Sequence, residues 1–335
     1  MQPATKSYPV SSLEDIRELC ERELLELDRM IEISLRSDVA LVSQVSKYIV
    51  SSGGKRLRPL IVILAARALA PAHENTEQAI RSAAIIEFIH TATLLHDDVV
   101  DSSDRRRGRQ TANAVFGNQA SVLVGDFLYS RAFQMMVQID DMRVMRLLAD
   151  ATNTIAAGEV MQLMNIHEPD TTEEQYRQVI YRKTARLFEA GAQIAGLITG
   201  QSDVVLDALG EYGRELGMAF QLIDDALDYS ASADELGKNL GDDLAEGKPT
   251  LPLIVAMRHG DEAQQALLRS AISDGGLEHL NDISKAIEST GALEYTRARA
   301  EEASDAAIAA ISGLPASAYK EALVAIASFA VARKF

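Results

Sequence analysis

The sequence contains two acidic clusters of the same form, DDVVD at 97–101 and DDALD at 224–228, each following a strongly apolar stretch of helical character. On an α-helix, residues four apart share one face, with Cβ atoms roughly 5–6 Å apart, so the first and last aspartates of each cluster converge. Carboxylates in such a setting repel one another and resist burial. The clusters therefore predict a bound cation. Mg²⁺, which takes one or two carboxylates and completes its shell with phosphate oxygens, is the natural candidate.

The first cluster continues a polar stripe on an otherwise apolar helix. At about 100° per residue, His90 and Thr93 lie near the same helical face as Asp97 and Asp101. A lone helical histidine is commonly structural, and a lone acidic cluster can be a solvated helix end. Here the histidine lies on a stripe aimed at a predicted metal site, and a second acidic cluster occurs in a similar context. Both observations favour ligand binding over the structural alternatives.

Several basic groups accompany the acidic clusters. Lys55 and Arg58 lie three apart at a predicted helix start, where backbone N–H groups and the helix dipole also favour anions. The segment DRRRGR at 104–109 offers arginine forks that bind phosphate bidentately, beside a glycine that permits a sharp turn. Lys183 lies in an apolar helical run, where it needs an anionic partner or must extend its ammonium group to solvent, and Lys238 and Lys248 follow the second cluster. So many cationic spots predict two polyphosphate ligands, one bridged by metal and one held directly by Lys and Arg.

Composition limits the other possible partners. The chain has 335 residues without a linker or low-complexity run, which predicts a single domain over 1–335. Its net charge of −16 argues against nucleic acid or an anionic membrane surface as the main partner. One cysteine permits no internal disulfide, and no stretch approaches the ~18 apolar residues of a membrane span. We therefore expect a soluble, cytoplasmic protein without an integral membrane segment.

The pattern of the chain predicts helix nearly throughout. Capping residues open a first helix at Ser11 or Ser12 that runs towards Ile33, and polar loops are expected at 108–117 and 238–252. Strand-like alternation is not evident, so the predicted fold class is all-α. The other predicted helices are 59–70, 75–101, 119–138, 142–165, 173–200 and 203–229, followed by an Ala-rich helical remainder.

These motifs, taken together and in order, resemble the trans-isoprenyl diphosphate synthases, and within that family the long-chain bacterial branch. The resemblance covers about 200 residues. The motifs that carry it are GGKRLRP at 53–59, EFIHTATLLHDDVVD at 87–101, RRG at 106–108, GDF at 125–127, KTA at 183–185, FQLIDDALDY at 220–229 and GKNLGDDLAEGKPTLPL at 237–253.

The resemblance implies antiparallel helices around a deep central cavity, usually in a homodimer, and repeated condensation of isopentenyl diphosphate onto an allylic diphosphate. It implies that Asp97 and Asp101, with Asp224 opposite, bind Mg²⁺ that bridges the allylic diphosphate, and that Asp98, Asp225 and Asp228 complete or support that shell. The residues implied to hold isopentenyl diphosphate are Lys55, Arg58, His90 and Arg107. Those implied to contact the allylic diphosphate or the developing cation are Arg106, Lys183, Thr184, Gln221 and Lys238.

Product length depends on the side chains below the first acidic cluster. Thr93 lies one turn before Asp97, and in the family the position of Ala92 also lines the route of the growing chain. Both residues are small, which predicts an open tunnel and a long all-trans product, octaprenyl rather than nonaprenyl, such as serves as a quinone side chain. Geranylgeranyl or farnesyl diphosphate is the shorter alternative. Candidates for the tunnel floor are Phe133, Met135, Met136, Leu163 and Met164, although methionines at such positions can equally be adaptable core.

Three other functions are alternatives to this one. A class I terpene cyclase also opens on an aspartate-rich motif but has no use for a second diphosphate site. A metal phosphohydrolase with a His–Asp doublet, here His96 and Asp97, needs further histidines, and only six exist. A non-catalytic subunit of a heteromeric synthase could dispense with one acidic cluster, whereas this chain retains both.

Overall fold

The structure of the protein is a computed structural model. It describes residues 12–51, 56–70, 75–106, 108–230, 241–275 and 278–332. Within these ranges the all-α prediction is confirmed, with helices separated by short loops and one two-stranded hairpin. No helix in the same ranges is long and apolar enough to cross a membrane.

The described residues of the first half of the chain form eight helices and the hairpin. These elements are α1 (Leu13–Leu19), α2 (Glu21–Ser34), α3 (Ala40–Ser51), α4 (Leu57–Leu69), α5 (Thr76–Val100), β1 (Arg105–Arg106), β2 (Arg109–Gln110), α6 (Ala112–Phe116), α7 (Asn118–Val137) and α8 (Met142–Asn165). The second half is also helical. Its elements are α9 (Glu173–Ile180), a π-helical segment (Tyr181–Ala185), α10 (Arg186–Ile198), α11 (Asp203–Leu227), α12 (Asp242–Ala245), α13 (Leu251–His259), α14 (Glu262–Asp274), α15 (Leu280–Ser289), α16 (Ala292–Ala310) and α17 (Ala318–Val331).

Helix α5 lies at the centre of the fold. Its sequence is apolar around most of its circumference, and a helix of that kind is stable only when it is surrounded. Accordingly, α5 packs against α2, α4, α7 and α10, and the residues from Ala79 to Leu95 are mostly buried. Because the first acidic cluster ends this helix, the surrounding bundle fixes the position of those aspartates.

Helix α11 carries the second acidic cluster and joins two hydrophobic cores. Leu216 belongs to the core built mainly by the first half of the chain, and Leu222 belongs to the core of the C-terminal helices. Glycines let α11 lie very close to α10. A Cβ atom at Gly213 would be 2.5 Å from the Phe188 carbonyl oxygen, and one at Gly217 would be 2.5 Å from the Ala185 Cα. This approach places the second cluster against the π-helical segment.

Several local predictions differ from the structure. The first helix is capped by Ser12, whose side chain accepts from the Asp15 backbone N–H, but it is divided at Cys20 into two helices. The predicted helix over 173–200 contains the π-helical segment. Both predicted loops are partly ordered into regular structure, because α6 and β2 lie in the first and α12 lies in the second.

We expect Gly213→Ala to destabilise the protein by about 1–3 kcal/mol, because the new methyl group would meet the backbone of α10 rather than a movable side chain. The control is Gly313→Ala, where a Cβ atom meets nothing within 4 Å. Urea unfolding followed by circular dichroism measures both variants. Equal midpoints for the two variants would contradict the close approach of α10 and α11.

Candidate active site

A cavity of about 800 Å³ opens among the helices and brings the two acidic clusters together. That volume lies within the usual range for small-molecule sites. Thirteen residues with a predicted role in binding, catalysis or chain length line it, as does Lys248. They are Arg58, His90, Thr93, Asp97, Asp98, Asp101, Arg106, Lys183, Thr184, Gln221, Asp224, Asp225 and Asp228. The predicted site residues Lys55, Arg107 and Lys238 lie outside the described residues.

Two lysines neutralise the outer aspartates of the first cluster. The Lys183 Nζ atom lies 3.4 Å from an Asp97 carboxylate oxygen, and the Lys248 Nζ atom lies 3.0 Å from one of Asp101. Lys248 also pairs with Glu246, and these carboxylates raise the pKa of Lys248 although its burial opposes the charge. Each outer aspartate therefore already has a cationic partner from the opposite side of the cavity.

Lys183 is held on its other side by helix α8. Its Nζ donates to the Glu159 carboxylate and to the Gln162 side-chain oxygen, both at 2.7 Å. Burial raises the pKa of Glu159 to about 7, in opposition to the stabilising charge of Lys183. Burial also opposes the charge of Lys183, but Asp97 and Glu159 outweigh it and raise the pKa of the lysine.

The middle aspartate of the first cluster is turned inward. Asp98 is fully buried, and one of its carboxylate oxygens accepts from the Arg106 Nε at 2.8 Å and from a terminal guanidinium nitrogen at the same distance. Burial raises the pKa of Asp98, and Arg106 opposes that rise. This pair ties the hairpin to α5. Asp98 therefore supports the site by fixing Arg106, which was expected to face the allylic diphosphate.

The middle aspartate of the second cluster has the same inward position. Asp225 is buried and accepts from the Tyr176 hydroxyl at 2.6 Å and from the Gln221 side-chain amide at 2.8 Å. Burial raises the pKa of Asp225 well above its usual range, and the nearby Asp243 adds to the effect. The two clusters thus share one arrangement, with the outer aspartates on the cavity wall and the middle one anchoring neighbouring elements.

The remaining aspartate of the second cluster, Asp228, contacts α12 by accepting from the Asp243 backbone N–H at 3.2 Å. Gln221 links the second cluster to the π-helical segment, because its oxygen accepts from the Thr184 hydroxyl at 2.9 Å. The Thr184 and Gln221 dipoles therefore lie next to Lys183, in a position to face a developing positive charge.

The donor set of the cavity suits a hard cation. Within the described residues, no group of three histidine, cysteine, aspartate or glutamate side chains is close enough to hold a metal ion by itself. The predicted ligands Asp97, Asp101 and Asp224 offer only oxygen donors on the cavity wall. Carboxylate oxygens completed by phosphate oxygens are what Mg²⁺ prefers, so these residues fit that metal as part of a metal–diphosphate complex.

A second cationic group lies across the cavity. The Arg58 guanidinium stacks over the Phe188 ring at 4.3 Å, and one of its nitrogens is 3.1 Å from the His90 Nε2. Because a guanidinium can only donate, His90 accepts through Nε2 in this contact. Arg58 and His90 are therefore preorganised together, and their role in holding isopentenyl diphosphate stays a prediction.

The residues that sequence reasoning missed lie mostly on α8 and α9. Glu159, Gln162 and Tyr176 line the cavity and contact predicted site residues, but they belong to no motif used in the prediction. The available signal was Gly158, where a Cβ atom would lie 2.6 Å from the Arg182 Cβ. That glycine brings α8 against the π-helical segment, and its polar neighbours consequently reach Lys183.

The predicted chain-length residues have mixed positions. Thr93 lines the cavity, whereas Ala92, Met135 and Met136 are buried and do not line it, so their effect on product length stays a prediction. Phe133 is partly buried against the core. The expectation for the other two floor candidates is wrong for this chain, because Leu163 is 58% and Met164 is 77% exposed on the outer side of α8.

Comparison with known proteins decides between the possible functions. A model of the polyprenyl synthetase family matches residues 39–290. The chain belongs to the polyprenyl synthetase family. It is a prenyltransferase, as the resemblance of its motifs implied. The phosphohydrolase alternative is set aside, and in this polyprenyl synthetase His96 points to α7, 3.3 Å from an Asp126 carboxylate oxygen.

Relatives of this polyprenyl synthetase include long-chain enzymes. It is 54% identical to octaprenyl diphosphate synthase of Escherichia coli, over 96% of this chain and 99% of that protein. It is 46% identical to a geranyl-diphosphate-specific all-trans-nonaprenyl-diphosphate synthase of Rhodobacter capsulatus, over 96% and 98% of the two chains. Among solved structures, a polyprenyl synthase from Caulobacter crescentus, complexed with calcium and isoprenyl diphosphate, matches with a TM-score of 0.91 and 40% identity, over 96% and 98% of the two chains.

We expect Asp97→Asn or Asp224→Asn to lower turnover more than tenfold, a loss of at least about 1.4 kcal/mol of barrier stabilisation, while the helical circular dichroism stays unchanged. Both substitutions remove a charge from the cavity wall without changing the size of the side chain. Asp207→Asn is the control, because Asp207 lies exposed on the same helix as Asp224. Turnover above a tenth of the unsubstituted rate would contradict the assigned role.

Proposed function

We propose that the protein is a long-chain all-trans-polyprenyl diphosphate synthase. It adds isopentenyl diphosphate repeatedly to an allylic diphosphate such as farnesyl diphosphate, and its product is octaprenyl diphosphate. The observation that carries the proposal is the single cavity in which the two acidic clusters face two separate cationic groups, Arg58 with His90 and Lys183 with Lys248. Two diphosphates can be held there at once, which a terpene cyclase does not require.

The chemistry follows from the charges around the cavity. The allylic C–O bond breaks with its electron pair leaving on diphosphate, and the π-electrons of isopentenyl diphosphate form the new C–C bond. The released diphosphate then accepts the proton that is lost. Asp97, Asp101 and Asp224 would hold Mg²⁺, which when bound supplies charge that neutralises the departing diphosphate.

The other residues of the cavity bind and orient the reactants in this proposal. Lys183 and Lys248 donate to phosphate oxygens of the allylic substrate, and Arg58 holds the second diphosphate. Thr184 and Gln221 present oxygen dipoles to the allylic cation. Apolar side chains farther down keep water from that cation while the new bond forms.

The proposed length of the prenyl product rests on the similarity to long-chain relatives and on the small side chains near the first acidic cluster. The octaprenyl relative is more similar to this chain than the nonaprenyl relative, and the small Thr93 lines the cavity one helical turn before Asp97. A product of eight units serves as a quinone side chain, as in ubiquinone, and the synthesis takes place in the cytoplasm.

Product analysis tests the proposal directly. With farnesyl diphosphate, isopentenyl diphosphate and Mg²⁺, we expect dephosphorylated products that chromatograph as eight isoprene units.

Ala92→Phe or Thr93→Phe narrows the predicted route of the growing prenyl chain and should shorten the product to about three or four units. Because Ala92 is buried, the thermal midpoint of its variant must be recorded, since overpacking costs about 1–3 kcal/mol. A product of fifteen or twenty carbons from the unsubstituted enzyme would contradict the proposal.

A homodimer is the assembly that we propose. Helices α7 and α8 expose several large apolar side chains, and exposed apolar surface of this kind is typical of an interface. The side chains that we assign to the interface are Val122, Leu123, Val160, Leu163 and Met164. We expect sedimentation to give about twice the 36.4 kDa of one chain.

The double substitution Leu123→Asp with Met164→Asp should weaken that dimer, because it places charge on both helices. Leu25→Asp on α2 is the matched control, since Leu25 is also exposed and lies on neither helix. A monomeric unsubstituted protein, or equal loss of dimer in the control, would contradict the proposed interface.

A further inference from the structure

The Lys183 ammonium group has three acceptors around its three N–H donors. Two are close, the Glu159 carboxylate and the Gln162 side-chain oxygen at 2.7 Å each. The third, an Asp97 carboxylate oxygen, is 3.4 Å away, beyond the usual range of an N–H···O hydrogen bond. Lys183 is therefore anchored firmly on α8 and only loosely paired with the predicted metal ligand.

The two close acceptors come from one rigid element. Glu159 and Gln162 are three residues apart on α8, so their side chains lie on one face of that helix. The backbone of the lysine is fixed against the same helix. A Cβ atom at Gly158 would lie 2.6 Å from the Arg182 Cβ and 3.0 Å from the Lys183 backbone nitrogen, so a larger residue at 158 would push the two elements apart. Helix α8 thus fixes both the position of the Lys183 backbone and the position of its ammonium group.

We propose that Glu159 and Gln162 are positioning residues for Lys183. Their side-chain oxygens accept two of its three N–H groups, so the third N–H is directed towards Asp97. When Asp97 binds a divalent cation with its diphosphate, that third donor passes to a phosphate oxygen while the side chain keeps both partners on α8. This role rests on the proposed function, since it concerns the allylic diphosphate of that reaction.

The same geometry explains why a second carboxylate is needed beside Lys183. Without Glu159, the nearest anion for the ammonium group is Asp97 itself, and a lysine paired closely with Asp97 competes with the cation that this carboxylate must bind. Glu159 therefore keeps Lys183 available for phosphate and keeps Asp97 available for metal. Its loss affects allylic diphosphate binding and leaves the pocket of Arg58 and His90 unchanged.

The test uses the full-length protein with Glu159→Ala, Glu159→Gln, Lys183→Ala and the double variant Glu159→Ala with Lys183→Ala. Steady-state rates give the KM for each substrate, and calorimetric titration with inorganic pyrophosphate and Mg²⁺ gives an affinity independent of turnover. Asp150→Asn is the matched control, because Asp150 is exposed on the same helix. Thermal midpoints by circular dichroism show that each variant is folded.

For Glu159→Ala we expect a rise of about tenfold in the KM for farnesyl diphosphate, weaker pyrophosphate binding and an unchanged KM for isopentenyl diphosphate. Glu159→Gln keeps an oxygen acceptor but not the negative charge, so it should recover only part of the loss. Because Glu159 acts through Lys183, the double variant should be no worse than Lys183→Ala alone.

Three results would overturn the inference: an unchanged KM for farnesyl diphosphate in Glu159→Ala, an equal rise for both substrates, or losses that multiply in the double variant. Failure of the unsubstituted protein to elongate farnesyl diphosphate would overturn the proposed function instead. In that case the pyrophosphate titration of the same variants still decides whether Glu159 positions Lys183.

Discussion

The structure depends on balancing a dense group of carboxylates inside one cavity. Two acidic clusters, Glu159 and Glu246 all line the same space, and like charges gathered in one cavity repel one another. The fold supplies internal cations to offset them. Lys183, Lys248 and Arg106 each contact an aspartate of the first cluster, and all three come from elements other than α5. The negative charges of the first cluster are therefore offset only when the elements that carry these three cations have packed against α5.

In both acidic clusters the middle aspartate and the outer aspartates have different roles. The middle aspartates, Asp98 and Asp225, are buried and bind neighbouring elements, so they serve the architecture. The outer aspartates remain on the cavity wall, where they can bind ligands. Alternating inward and outward roles within five residues is a direct result of helical periodicity, since positions one and five share a face and position two does not.

That periodicity is why much of the site could be predicted from sequence. Because residues four apart share one face of a helix, Asp97 could be expected beside Asp101. The order of the motifs predicted that Arg58 and His90 belong to one site. The role of Glu159 could not be predicted, because it depends on α8 lying against the π-helical segment, a tertiary contact made possible by Gly158. The outward positions of Leu163 and Met164 were missed for a similar reason: apolar residues at the end of α8 were assumed to face inward, and only the packing of that helix shows otherwise. The hairpin was missed because two-residue strands carry no detectable alternation.

The π-helical segment at Tyr181–Ala185 has a consequence for the whole rod formed by α9 and α10. A π turn accommodates one more residue than the α-helical ladder allows, and each residue of an α-helix turns by about 100°. The two helices are therefore out of phase with each other, although they run on as one rod. A deletion of one residue here would restore a regular ladder and rotate every side chain on one side of it by that angle. The face of α10 that now packs against α4 and α11 would then turn away from them. The extra residue sets the rotation of α10 relative to α9, which lets the π-helical segment between them present Lys183 and Thr184 to the cavity while α10 fits the core.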